Sequence, residues 1–354
     1  MLRIETTPDR LKRYTVAQRS VLRTTFFLHR NVLMPSLTRR GCLLGIAGAG
    51  LAVTARPIAT RGERRPTNLI DAHVHVWSPD TSRFPLAPGF SAEDLWFPSY
   101  SAEEVRRLAA PAGVTRFNLV QMTWYGLDHS YILSVIADDP RHFVGTGIVP
   151  AVTDVALADP GRTMVELSRG GVYAFRIRGQ STRPKLDAGP RWMDYPGFEK
   201  MFAAGGEHNL ALSFLMAPTD LPEVDRMCRR FPQTPVILDH FCLIGRNNTF
   251  ADQEIEALCK LAQRPRVMIK LGAFYGLGAK QPPYRDMLPL IRRVVEAFGP
   301  ERCMWESDAP LQTRDGHTFE AAVAVIRDHA DFLSAEDKQK ILVGTAEKFF
   351  FDRS

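Results

Sequence analysis

LIDAHVHVWS (residues 69–78) sets Asp71, His73 and His75 at alternate positions among Ile70, Ala72, Val74 and Val76. A β-strand turns successive side chains to opposite faces, so this spacing puts three polar groups on one face and four aliphatic ones on the other. A half-exposed edge strand shows the same alternation with its histidines in water. The competing reading is a strand whose polar face lines an interior, and the rest of the chain has to separate the two.

Seven further apolar or β-branched runs follow, so the candidate strands are 69–76, 114–122, 144–149, 172–178, 210–215, 235–240, 266–271 and 302–308. Amphipathic stretches such as 101–110, 220–231, 252–263 and 285–298 lie between them. Alternating strands and helices imply a parallel sheet, and eight such units imply a closed (β/α)₈ TIM barrel. The 354 residues leave ample room for a barrel of about 250 residues. A doubly wound open sheet is the rival, but no glycine fingerprint follows the first strand. Stretches 77–99 and 179–197, rich in Pro, Trp and Gly, read as long loops at the catalytic end.

The charge is unevenly placed. Residues 1–65 hold 13 Lys and Arg against 3 Asp and Glu, whereas the remainder holds 32 against 36. The basicity belongs to the leader, which argues against a nucleic-acid partner. Within that leader, SLTRRGCLLGIAGAGLAVTA (residues 36–55) has Arg39 and Arg40 ahead of an uncharged stretch of small and apolar residues ending Val53-Thr54-Ala55. It resembles a twin-arginine export signal, which implies a partner in the export machinery and a periplasmic location. The apolar run is shorter than the ~20 residues a membrane span needs. Met34 offers a second start, and fold reasoning begins at Pro66, with 66–354 read as one domain. Cys228, Cys242, Cys259 and Cys303 form no CxxC pair and read as scattered buried thiols. Whether the chain forms a homo-oligomer stays open.

In a barrel of this kind the chemistry sits at the C-terminal ends of the strands. Strand 1 brings His73 and His75, strand 6 (PVILDH) ends on His240, and strand 8 (CMWESDAP) carries Asp308. Strand 4 (VYAFRIR) places Arg176 and Arg178 on one face, as an anion site would require, because guanidinium forks match carboxylates. Ion pairing of these arginines to barrel carboxylates is the structural alternative. Tyr275 follows strand 7 and reads as a substrate contact, with packing as the equal alternative. Trp77, Phe90, Trp96 and Tyr100 are expected to anchor a loop, and His129, His142, His317 and His329 to lie on helices or the surface.

DAHVHVW (71–77), PVILDHFCLIG (235–245), VMIKLGAFY (267–275), FGPERCMWESDAP (298–310) and ILVGTAEKFF (341–350) together resemble, in order, the segments of the amidohydrolase-related family of TIM-barrel hydrolases. The resemblance spans roughly residues 68–351. It implies hydrolysis or decarboxylation of small, often anionic molecules, with pyrone-dicarboxylate and sugar lactonases among the relatives. Carried over position by position, it makes His73, His75 and Asp308 ligands of a divalent ion, zinc being the one their nitrogen and oxygen atoms suit. His240 matches the strand-6 histidine. The resemblance equally admits a metal-free site in which the same histidines bond substrate, and the reading here leans to no obligatory metal. Strand 5 (LALSFLM) lacks the further histidine of metal-using relatives, and His208 lies at its wrong end, which excludes a binuclear site.

Two departures stand out. Glu306 replaces the usual glycine before Ser-Asp, and its parity with Asp308 turns it inward. Two neighbouring carboxyls are expected to raise each other's pKa unless Lys270 or an arginine compensates. Thr345 stands where asparagine is usual. The resulting expectation is a lactonase in which Asp308 is the general base and acid, His73 and His75 polarise the carbonyl, His240 bonds the oxyanion, and Arg176 and Arg178 bind the anionic group. The alternatives are a metal-dependent decarboxylase and a barrel that has lost catalysis.

Overall fold

The computed structural model describes residues 68–150, 158–182 and 189–353. The twin-arginine-like segment at 36–55 lies outside them. Eight strands follow in chain order: β1 Leu69–Val74, β2 Val114–Val120, β3 Phe143–Gly147, β4 Val172–Arg178, β5 Ala211–Leu215, β6 Val236–Leu238, β7 Val267–Leu271 and β8 Cys303–Trp305. Each pairs in parallel with the next, giving the order β1-β2-β3-β4-β5-β6-β7-β8. An open doubly wound sheet would reverse its order midway, and this one does not.

The two ends of the sheet meet through backbone. Asp308 N–H donates to His73 O and His75 N–H to Ala309 O, both at 2.9 Å, and Val74 bridges Ala309 in parallel. The eight expected strands are all present, and the fold is a (β/α)₈ barrel.

Between the strands run helices α1 Ala102–Ala109, α2 Ser130–Asp138, α3 Pro160–Ser168, α4 Pro196–His208, α5 Leu221–Arg230, α6 Asp252–Lys260 and α7 Leu288–Phe298. Helices α8 Phe319–Ala324 and α9 Ala335–Gln339 follow β8. Some of their starts carry a side-chain cap. Ser101 caps α1 by accepting from Glu104 N–H, and Asp159 caps α3 by accepting from Gly161 and Arg162 N–H. The longer ones bury an apolar stripe: α5 buries Leu221, Val224, Met227 and Cys228, and α7 buries Leu290, Ile291, Val294 and Val295. Among the described residues no helix is long and apolar enough to cross a membrane. Cys228, Cys242, Cys259 and Cys303 are free thiols, three of them buried.

Five strands, β1, β2, β3, β6 and β8, end sooner than their apolar runs suggest, and in three of them the backbone is irregular beside the site. In β1 the register slips between Asp71 and Val74. After β6, His240, Phe241, Cys242 and Leu243 all have φ between 50° and 61°. After β8, Asp308 has φ 59°. A left-handed non-glycine residue costs roughly 1–2 kcal/mol, and such strain gathers where function over-determines the backbone.

Candidate active site

The C-terminal mouth of the barrel brings together side chains from β1, β4 and β7 and from the turns after β6, β7 and β8. His73 Nε2, His75 Nε2 and Asp308 Oδ1 form a triangle with edges of 3.3, 3.5 and 3.4 Å. All three residues are buried. Asp308 Oδ2 accepts a 2.6 Å hydrogen bond from the Tyr275 hydroxyl and lies 3.9 Å from His240 Nε2. The Arg176 guanidinium reaches across from β4 and donates to His73 Nε2 at 2.9 Å. Arg178 follows on the same face of β4, half-buried and in register with Leu215.

Below this triangle lies a charged layer that strand parity does not reveal in full. Glu306 Oε1 accepts from His240 Nδ1 at 2.6 Å and from the His240 backbone at 3.2 Å, while Glu306 Oε2 faces His73 Nδ1 at 3.3 Å. Lys270 Nζ lies 2.9 Å from Asp239 Oδ1 and 3.2 Å from His73 Nδ1. Ser213, on β5 where a further histidine was sought, donates its hydroxyl to Asp239 at 2.9 Å. Asp239 was absent from the candidates read in sequence. β6 stops at Leu238 and the chain turns left-handed, so Asp239 and His240 both reach the interior although they are consecutive.

Each ionisation state has a visible cause. Burial pushes Asp308 up, but the charge on His240 leads the groups that outweigh it and hold the carboxyl well below the usual carboxylate range. Burial brings His75 down to about 4, leaving it neutral at pH 7. For His240, burial is opposed by the carboxylates of Glu306 and Asp308, which hold it above the ordinary imidazole value. The expected mutual rise of Glu306 and Asp308 does not occur: against burial, His240 and His73 keep Glu306 below its ordinary value too. Lys270 pairs with the Asp239 carboxylate, which it holds ionised despite burial. Burial, then Asp308, pushes Tyr275 far up, so its hydroxyl stays a donor.

Asp71 leaves the polar face that alternation assigned it. The slip in β1 turns its carboxylate to the seam with β8, where Ser307 N–H, the Ser307 hydroxyl and His73 N–H donate to it. Trp77 and Tyr100 are fully buried loop anchors, while the half-buried Trp96 ring stands 6.1 Å from His75 as a wall of the pocket. His129, expected on a helix or the surface, is buried. Its Nδ1 bonds Leu127 O and its Nε2 accepts from Ile148 N–H, which is a structural role.

The triangle fits a metal ion. Tetrahedral zinc with bonds of about 2.0–2.2 Å to nitrogen and oxygen has ligand–ligand edges of about 3.3–3.5 Å, and the three measured edges fall in that range. The protons are placed to match. His75 Nδ1 meets the Val120 carbonyl at 2.9 Å, which commits its proton there and bares Nε2. His73 Nε2 is likewise bare, since it accepts from Arg176. Three acceptors this close repel one another unless a cation or a donor stands among them. A zinc ion and the Arg176 contact would therefore compete for the lone pair of His73.

Fold and pocket together define a barrel hydrolase with its polar groups at the strand ends, and comparison with known proteins narrows this to a family. The amidohydrolase family model matches residues 70–351. The chain belongs to the amidohydrolase family and is a hydrolase. It is 28% identical to the L-fucono-1,5-lactonase of Burkholderia ambifaria over 292 residues, 79% of this chain and 94% of the relative. It is 26% identical to the 2-pyrone-4,6-dicarboxylate hydrolase of Comamonas testosteroni over 305 residues, 81% and 91% of the two chains. Among solved structures, a putative 2-pyrone-4,6-dicarboxylic acid hydrolase from Pseudomonas putida superposes with a TM-score of 0.64 at 22% identity, covering 82% of this chain and all of that one.

Proposed function

We propose that this protein hydrolyses a small lactone bearing a carboxylate or similarly placed oxygens. The observation that carries the reading is the acceptor triangle of His73, His75 and Asp308 with guanidinium and phenol donors at its edges. Lactone-hydrolysing relatives support it, as does 4-sulfomuconolactone hydrolase of Hydrogenophaga intermedia at 24% identity, over 69% of this chain and 75% of that one.

In this reading Arg176 and Arg178 hold the anionic end of the substrate. A guanidinium has five N–H groups, so Arg176 keeps donors to spare beyond the one on His73. The ester carbon lies over His73 and His75, whose bare Nε2 atoms donate nothing, and its carbonyl oxygen turns to the donors Arg176 and His240. Asp308 Oδ1 takes a proton from the water that adds to the carbonyl carbon. It returns that proton to the ring oxygen as the C–O bond breaks, so a weak base suffices because it holds the proton only for the lifetime of the adduct. Tyr275 occupies Oδ2 and leaves Oδ1 as the working oxygen. His240 turns Nε2 toward the developing oxyanion. A zinc ion held by His73, His75 and Asp308 would add Lewis-acid polarisation of the carbonyl. Decarboxylation is the weaker reading, because Ser213 on β5 is committed to Asp239 and adds no ligand.

The test is a panel of sugar lactones and unsaturated carboxy-lactones, followed by acid release at constant pH. Asp308→Asn should keep its melting temperature and lose about 10²–10⁴-fold in kcat, the range of one general acid–base group. Near-full turnover by that variant would remove the mechanism. Elemental analysis of the folded protein, with activity before and after chelation, decides the zinc. We further propose that Arg39 and Arg40 direct the folded chain to the periplasm, and the mass of the N-terminus in a periplasmic fraction tests this.

A further inference from the structure

We infer that Glu306 is a positioning residue: its two oxygens take the Nδ1 protons of His73 and His240 at once, and so turn both Nε2 atoms into the pocket. The proton positions follow by elimination. His73 Nε2 receives a hydrogen bond from the Arg176 guanidinium, a group that only donates. That nitrogen has no proton, and the His73 proton therefore sits on Nδ1. A zinc ion at Nε2 would demand the same tautomer.

Three groups face His73 Nδ1: Lys270 Nζ at 3.2 Å, Glu306 Oε2 at 3.3 Å and Asp239 Oδ1 at 3.7 Å. Lys270 also only donates, and one ring cannot accept at both nitrogens; the shorter Arg176 contact, 2.9 Å, decides for a bare Nε2, while Lys270 has Asp239 Oδ1 at 2.9 Å for its donor. Asp239 Oδ1 is taken by Lys270 and Ser213. Glu306 Oε2 makes no hydrogen bond of standard geometry among the described residues and is fully buried, where an unmatched oxygen is costly, and His73 Nδ1 stands 3.3 Å away as a group that can supply the missing proton. It is the acceptor that remains. The other oxygen lies 2.6 Å from His240 Nδ1, which puts a proton there as well.

The backbone is shaped to admit this carboxylate. A Cβ on Gly272, just past β7, would lie 2.1 Å from the Glu306 carbonyl oxygen and 2.3 Å from its Cγ. Only glycine leaves the Glu306 chain its path to the two imidazoles. Glu306 touches no substrate in this arrangement and acts through His73 and His240. It has the role that outer partners of ligating histidines play in fixing ring orientation.

Nitrogen-15 spectra of the whole protein, labelled at histidine, test the assignment directly. In the unaltered protein Nδ1 of both His73 and His240 should carry a proton, and a bare Nδ1 on either overturns the inference. In Glu306→Gln one imidazole meets an amide N–H instead of an oxygen, so one Nδ1 proton should be lost. The inference rests on the lactonase reading for its kinetic arm alone, where kcat should fall about 10–100-fold with KM within about threefold. Retention of both Nδ1 protons in Glu306→Gln overturns it, whatever happens to kcat. If no lactone is turned over, the proposed activity fails while the spectra still decide the role of Glu306.

Discussion

His75 and His240 serve one pocket from opposite sides and are held by different means. The β1–β2 side fixes His75 through main chain: its Nδ1 bonds the Val120 carbonyl, and its own N–H ties into the strand closure. The β6–β8 side fixes His240 through a side chain, Glu306, after a left-handed stretch of four residues, 240–243. A carbonyl is present whatever residue bears it, so the first arrangement tolerates substitution of its partner. The second depends on buried charges that balance only as a set, with Glu306, Asp239 and Lys270 all fully buried.

That contrast can be broken at several points. The largest effect is expected at Lys270→Met, which strands Asp239 as an uncompensated buried charge at a cost of about 3–5 kcal/mol. Chemical denaturation should show it, and adding Asp239→Asn should restore much of the loss. Next comes Tyr275→Phe, which takes away a hydrogen bond to a charged group worth about 1.5–3 kcal/mol. We expect kcat for the preferred lactone to fall by one to two orders of magnitude and the melting temperature to drop by several degrees. At the opposite extreme, Val120→Ala should cost about 0.5–3 kcal/mol of stability yet leave kcat within about twofold, because the carbonyl that holds His75 remains. A large kcat loss there, measured on folded protein, would erase the distinction between the two sides.

A finer test uses the seam. Burial pushes Asp71 up to about 7 even though Ser307 and His73 donate to it. Its folded pKa exceeds the unfolded one, so its stabilising contribution is complete at low pH and fades as pH rises through about 7. Asp71→Asn removes that slope. The melting temperature of the variant minus that of the unaltered protein should therefore increase between pH 4 and pH 7.

What the sequence made legible, and what it hid, follows the same division. Periodicity of two located β1 and put His73 and His75 on one face. The rule that chemistry lies at strand ends brings out His240, Asp308, Arg176 and Tyr275, whose meeting at one mouth follows from strand order. Parity failed wherever the backbone leaves strand geometry. Asp71 is diverted by the slip in β1, and Asp239 turns inward beside His240 because β6 stops one residue earlier. The partners of Glu306 were hidden for another reason. Sequence parity points to Lys270 or an arginine as what could offset the repulsion of Glu306 from Asp308, whereas the outcome is set by imidazoles from two other strands.

The hydrogen bonds from Asp308 N–H to His73 O and from His75 N–H to Ala309 O make the hoop's last rung out of the reacting residues themselves. A hydrolase built this way has no slack between working and holding together. Those two amides should exchange with deuterium only through global opening, and heat should extinguish turnover and circular dichroism along a single curve.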